Sequence, residues 1–185
     1  ANSVISGHGG GIYAMSGHLD IDNTIVTKND ASVNGGGIYV SLNSIIKSTK
    51  SHITGNNAMM HGGGIYMNEV SGGIQGGTVR NNVAKSGGGI AIHSGTPTYE
   101  GVVVEMNSAN SLVGSDACFG GGVLISHLPM ITLETSTIQR NGAYGPKSAG
   151  GGIYVSGSNA VALHQSKIKE NVAKHGGGMQ IVNAT

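Results

Sequence analysis

Residues 35–58 decide the fold, and they read GGGIYVSLNSIIKSTKSHITGNNA. The stretch opens with three glycines that lead into Ile38, Tyr39 and Val40, and it closes with Ile53, Asn56 and Ala58. Both ends of the stretch recur along the chain. An internal repeat of this length is typical of a solenoid, in which each unit buries its apolar face only by stacking on its neighbours.

The glycine triplet occurs seven times, at spacings of 25 to 33 residues. The triplets begin at Gly9, Gly35, Gly62, Gly87, Gly120, Gly150 and Gly176. An aliphatic residue or Met follows each triplet, and a second apolar residue comes two positions later. This period of two predicts a short strand after every triplet. The glycines predict a tight corner with positive φ, where a side chain would clash.

A second motif, aliphatic-x-x-Asn-x-Ala, lies later in each unit. Its six copies are Val26/Asn29/Ala31, Ile53/Asn56/Ala58, Val79/Asn82/Ala84, Val104/Asn107/Ala109, Ile138/Asn141/Ala143 and Ile168/Asn171/Ala173. We expect the Asn residues to sit at turns in left-handed conformation. We also expect their side-chain amides to bond from one turn of the coil to the next.

Together the motifs predict an all-β fold, a right-handed parallel β-helix of about 6.5 rungs of 25–33 residues. The units are too short for β-propeller blades, and they lack the leucine frame of leucine-rich repeats. We expect residues 1–185 to form a single β-helix domain that is a segment of a longer repeat protein. Alternatively, its ends pair with other copies into a fibre. Extra residues enter at 110–119 and 144–149, between the Asn motif and the next triplet, and mark one corner as a local specialisation.

Composition excludes several classes of function. The chain has 34 glycines and a formal net charge of +1, and only 10% of its residues are charged. Its two arginines form no basic patch, which argues against nucleic-acid binding. No apolar run is long enough to span a membrane in this segment. No signal peptide is recognised at Ala1, where the sequence begins inside a repeat, as expected if a signal has been removed or left out. The single cysteine, Cys118, predicts either a buried or loop thiol or an intermolecular bond.

The pairing of Gly-Gly-x-Ile with aliphatic-x-x-Asn resembles the repeats of polymorphic outer-membrane proteins, a family known from chlamydiae. Examples here are residues 9–12 and 150–153 for the first tetrapeptide, and 53–56 and 168–171 for the second. The resemblance spans nearly the whole chain, but Ile or Val replaces the family's Phe, and no membrane-anchoring barrel is present. It implies a pectin-lyase-like β-helix, an adhesive role and a location outside the cell or on its surface.

The best hint of a binding site is a column of tyrosines after the triplets, comprising Tyr13, Tyr39, Tyr66 and Tyr154. If Ile12 points inward, Tyr13 points outward, and stacked exposed aromatics suit carbohydrate or a neighbouring chain. The alternative interpretation is a simple stabilising stack. The sequence Asn183-Ala184-Thr185 is a possible glycosylation site.

Catalytic and metal sites have weaker support. Alignment of the repeats places Asp22, Glu100 and Glu134 in one outward column, followed by His164. That strip is the basis of an alternative function, a carbohydrate-active enzyme of pectin-lyase-like fold. His8, His61 and His175 precede glycine triplets but lie too many rungs apart for a metal cluster.

We therefore expect no catalytic residues, metal or cofactor. The leading hypothesis is a non-enzymatic structural or adhesive module that associates with carbohydrate or with itself. Ice binding ranks last, because regular Thr-x-Thr arrays are missing.

Overall fold

The chain winds as a parallel β-helix of about six turns, as the repeats predict. The computed structural model describes residues 1–111, 117–127, 130–157 and 161–182. Those residues contain strands and turns but no helix. Each turn contributes to three sheets in succession, and the strands of each sheet pair in parallel with those of the turns above and below.

The broad sheet follows the glycine triplets and has 11 strands. They are β2 (Ile12–Met15), β3 (His18–Asp22), β6 (Ile38–Thr49), β9 (Ile65–Gln75), β12 (Ile90–Ile92), β13 (Gly95–Glu100), β16 (Val123–Ser126), β17 (Ile131–Glu134), β20 (Ile153–Ser156), β21 (Val161–His164) and β23 (Met179–Val182). The second sheet comprises β4 (Ile25–Thr27), β7 (His52–Thr54), β10 (Thr78–Arg80), β14 (Val103–Glu105), β18 (Thr137–Gln139) and β22 (Lys167–Lys169). The third sheet comprises β1 (Ser3–Val4), β5 (Asp30–Ala31), β8 (Asn57–Ala58), β11 (Val83–Ala84), β15 (Ser108–Asn110) and β19 (Gly142–Tyr144).

Columns of like residues fill the interior. The residue after each triplet pairs with its counterpart one turn away, as Ile38 does with Ile65 and Ile65 with Ile90. All three are fully buried, and so is the middle of the second sheet at Ile53 and Val79. Turns in a parallel sheet lie about 4.8 Å apart, so every column forms a continuous apolar stack along the axis.

The glycine triplet makes a tight corner, and its members serve different purposes. The first glycine of each triplet has positive φ, for example 66° at Gly62. The second is held to glycine by space, because a Cβ on Gly63 would overlap the carbonyl oxygens of Val83 and Gly88. The third faces the Asn motif, since a Cβ on Gly64 would lie 2.9 Å from Nδ2 of Asn82.

The Asn residues form a buried ladder that runs along the coil from Asn2 to Asn171. In each step the backbone N–H and Nδ2 of one Asn both donate to Oδ1 of the next, at 2.9–3.1 Å. The second Nδ2 hydrogen of Asn82 goes to the carbonyl of Ile53 at 3.0 Å, and the same bond recurs at Asn56, Asn107, Asn141 and Asn171. The predicted bonding from turn to turn is confirmed.

The predicted left-handed conformation of these Asn residues is wrong. The residue before each Asn has positive φ instead, and that position holds Lys28, Gly55, Asn81, Met106, Arg140 and Glu170. The reason is geometric. The preceding residue makes the turn, which leaves the Asn side chain aimed into the interior and its own N–H aimed at the next Asn.

The two insertions meet at the corner between the third sheet and the triplets. The N–H of Ala149, at the end of one insertion, donates to the carbonyl of Cys118, near the end of the other, at 3.1 Å. The Cys118 side chain is fully buried beside Ala109 and Ala143, which agrees with a buried thiol. Residues 112–116 of the first insertion lie outside the described residues.

The Asn ladder leads to a stability prediction. Replacing Asn82 with Ala leaves the buried carbonyl of Ile53 and the N–H of Asn56 without their partners. We expect a loss of about 3 kcal/mol in the free energy of unfolding, since each such group costs about 1–3 kcal/mol. Urea titration measures the change. The matched control Asn2→Ala removes an exposed Asn at the end of the ladder and should cost less than about 1 kcal/mol. Equal losses in the two variants would contradict the proposed importance of burial.

A second prediction separates glycines required by space from those required only by conformation. Gly63→Ala should cost at least about 3 kcal/mol, because the new Cβ overlaps main-chain atoms. Gly55→Asn should stay within about 0.5 kcal/mol of wild type. Gly55 has a φ of 64°, and a Cβ at this position would have Cγ of Lys28 as its nearest neighbour, at 3.9 Å. Asn81 already occupies the equivalent position one turn on, also with positive φ. Thermal melting of both variants checks the contrast, which a stable Gly63→Ala protein would refute.

Candidate binding face

Tyrosine side chains stack on the outer surface of the broad sheet. Tyr13, Tyr39 and Tyr66 are paired in register on consecutive turns, and we call these three the tyrosine column. Their ring centroids are 5.1 and 5.3 Å apart, and both interplanar angles are 5°. Tyr13 is 52% exposed and the other two rings are half-buried. The column thus presents the edges of three stacked rings along the axis.

Tyr154 occupies the same register position but lies apart from the tyrosine column. Ala91 and Leu124 occupy the two turns between Tyr66 and Tyr154. Tyr154 stacks instead on Phe119, at 4.5 Å between ring centroids. His8 also packs on Tyr39, with ring centroids 4.5 Å apart and the two rings tilted by 33°. The residue before a glycine triplet therefore packs on the outward residue of the following turn.

The interruption at Ala91 leaves a cavity of about 200 Å³ in the aromatic strip. We call it the Ala91 slot, and its walls include His61, Tyr66, Ala91, His93, Leu124 and Ser126. Ala91 itself is only 1% exposed, because the larger side chains beside it overhang this small residue. The slot is therefore narrow, with one aromatic wall and several polar groups.

Two hydrogen bonds orient the polar wall of the slot. The Ser126 hydroxyl donates to the Ile92 carbonyl at 3.3 Å, and Nδ1 of His93 lies 3.1 Å from the same hydroxyl oxygen. The Ser126 hydroxyl thus occupies Nδ1 of His93 and leaves Nε2 of that ring for another hydrogen-bond partner. The His93 ring also lies 5.0 Å from the ring of His127.

The surroundings of the slot change the pKa of two of its residues, His61 and Tyr66. Burial lowers the pKa of His61 from 6.5, and electrostatic interactions with Lys85 and His93 lower it further. Its Nδ1 is buried and has no hydrogen-bond partner in the described part of the chain. The surroundings therefore favour the neutral imidazole. Burial also raises the pKa of Tyr66.

The acidic strip forms as the repeat alignment predicts, but on the open surface. Glu100 pairs in register with Glu134, and Glu134 with His164. Nδ1 of His164 lies 3.6 Å from a carboxylate oxygen of Glu134, and both side chains are more than half exposed. Asp22 lies in the same column, separated from Glu100 by Thr49 and Gln75. The Glu134 and His164 side chains of the strip are thus open to solvent.

A charged cluster on the second sheet was not predicted from the sequence. Glu105 is bound by Nε2 of Gln139 and a guanidinium nitrogen of Arg140, both at 2.8 Å, and Arg80 lies 4.0 Å away. The hydrogen bond from Gln139 and then the two arginines lower the pKa of Glu105, and partial burial opposes them. The register places Arg80, Glu105 and Gln139 on neighbouring turns, and Arg140 follows Gln139, so the four side chains link three turns of the coil.

The Ala91 slot was not predicted from the sequence either. A usable signal was present, because Ala91 stands in a column otherwise held by large side chains and His93 lies two residues later on the same face. Asn183, the possible glycosylation site, lies outside the described residues. Among the described residues, no group of three His, Cys, Asp or Glu side chains could hold a metal ion. No helix in that part of the chain is long and apolar enough to cross a membrane.

The comparisons with known proteins add no relative: no family model, curated protein or solved structure matches the chain.

The buried imidazole of His61 predicts a pH-dependent stability. Its pKa is lowered in the folded chain, so the unfolded chain takes up a proton first as the pH falls. The free energy of unfolding should therefore decrease from pH 6.5 down to the lowered pKa and level off below it. Urea unfolding at pH 7.5, 6.5 and 5.5 measures this. His61→Asn should flatten the profile while folding normally, because Asn34 occupies the equivalent corner. An unchanged slope in His61→Asn would rule out this origin.

Proposed function

We propose that this chain is a non-enzymatic, structural and adhesive β-helical module of an extracellular surface protein or filament. The observation that carries the proposal is the uninterrupted Asn ladder, which runs through every turn with its amides satisfied. A coil of about six turns at about 4.8 Å per turn is a stiff rod about 30 Å long. A rod of this kind suits a spacer that displays a surface.

The tyrosine column supplies the adhesive part of the proposal. Three stacked and partly exposed tyrosines present ring edges and hydroxyl groups along the coil, and these suit contact with a carbohydrate. The pairing of Gly-Gly-x-Ile with aliphatic-x-x-Asn supports a relation to the repeats of polymorphic outer-membrane proteins, and through them a place on the cell surface. Contact between copies of the chain, end to end or side by side, is the second interaction that we propose.

Immunogold electron microscopy tests the proposed location. Antibodies raised against residues 1–185 should label the outside of intact, unpermeabilised cells of the source organism, on the envelope or on filaments. Pre-absorption with the purified chain should abolish the label. Label that appears only after permeabilisation would overturn the proposal.

The alternative function is a carbohydrate-active enzyme, which the contact between Glu134 and His164 beside Glu100 favours. We expect no cleavage when the chain is incubated with a panel of acidic and neutral polysaccharides and the products are separated by size. The double variant Glu100→Gln/Glu134→Gln is the control. Product formation by the wild type that disappears in the double variant would establish the enzyme instead.

A further inference from the structure

The tyrosine column ends with an open ring face. Tyr13 and Tyr39 each have the next tyrosine stacked on them, whereas the in-register partner of Tyr66 on the following turn is Ala91. The next residue in the column, Leu124, lies one turn further on. The tyrosine column therefore stops at Tyr66, and the Ala91 slot lies beside this last ring.

The volume of the slot limits what can fill it. At about 200 Å³ it is smaller than the roughly 300–1,000 Å³ of pockets that hold drug-sized ligands. One six-membered ring fits, and an oligosaccharide would reach the slot with only one of its residues. Tyr66 and Leu124 both line the slot, so a ring bound there would lie against the ring of Tyr66.

The polar wall distinguishes between kinds of ring. Because Nδ1 of His93 is engaged with Ser126, its Nε2 is left to bond a hydroxyl group, which can either donate or accept. The side chains of His61 and Ser126 also line the slot. A pyranose has an apolar face for Tyr66 and hydroxyl groups at its edge for the imidazole. The aromatic side chain of a partner protein would leave most of these polar groups without partners.

We infer that the Ala91 slot binds a single pyranose residue, stacked on Tyr66 and hydrogen-bonded through a hydroxyl group to His93. The inference rests on the proposed adhesive function and narrows it to carbohydrate at one position of the tyrosine column. The turns above and below hold the slot in place, so binding requires no rearrangement of the coil.

The experiment uses the 185-residue chain with four methyl pyranosides as probes, those of glucose, galactose, mannose and N-acetylglucosamine. Binding is measured by saturation-transfer NMR and by tyrosine fluorescence. At least one probe should bind the wild type in the millimolar range. Ala91→Tyr places a ring in the slot and should weaken binding at least tenfold. His93→Ala should weaken it several-fold.

Controls separate a filled slot from a damaged fold. Ala91→Tyr should melt about 2–4 °C above the wild type, because the new ring stacks on Tyr66. Ala91→Leu fills the same space with the side chain found at Leu124, so it tests the slot again should the tyrosine variant fail to fold. Gln180→Tyr adds a tyrosine to the same column beyond Tyr154, and it should leave binding unchanged.

Three results would overturn the inference: no probe binds the wild type, probes bind Ala91→Tyr and Ala91→Leu as well as the wild type, or p-cresol binds the slot while every pyranoside fails. The last result would assign the slot to an aromatic side chain of a partner protein. Surface labelling is measured independently of binding. If no pyranoside binds the slot, the proposed location still stands, and if the label is not on the surface, the binding result can still be interpreted.

Discussion

The contact between the Asn ladder and the third glycine of each triplet constrains the rest of the coil. A buried amide is costly unless all its hydrogen-bonding groups are satisfied. Here Oδ1 of Asn82 accepts two hydrogen bonds and Nδ2 donates two. In that arrangement the amide of Asn82 lies against the glycine corner. Position 64 must then be glycine, because a Cβ there would lie 2.9 Å from Nδ2 of Asn82. Neither motif works without the other, which explains why they recur together.

Because the interior is fixed by these columns, variation falls on outward positions and on one corner. The register of the broad sheet keeps Tyr39, Tyr66 and Ala91 in one line, so a single small residue in that line opens a slot between turns. The insertions end at the corner between the third sheet and the triplets, where Ala149 bonds to Cys118. A scaffold whose inside repeats so closely leaves its outer surface available for recognition.

The columns were predictable because each turn must bury the same apolar positions against its neighbours. A period of two predicted the strands, the triplet predicted positive φ at Gly62, and the alignment of repeats predicted the line of Glu100, Glu134 and His164. The conformation of the Asn residues was not predictable from their identity. The left-handed residue before them is Lys28 in one turn and Met106 in another, so no residue preference marks that position.

The sequence by itself determined the coil, the inward columns and the outward line of tyrosines, because these depend on spacing and on which side chains avoid water. Only the tertiary structure decided how neighbouring turns join their side chains. In the folded chain Glu105 contacts Arg80 and Arg140, Nδ1 of His93 contacts the Ser126 hydroxyl, and a slot lies beside Tyr66. Those groups lie 25 to 35 residues apart along the chain but only one turn apart in space, so their contacts depend on the atomic register between turns.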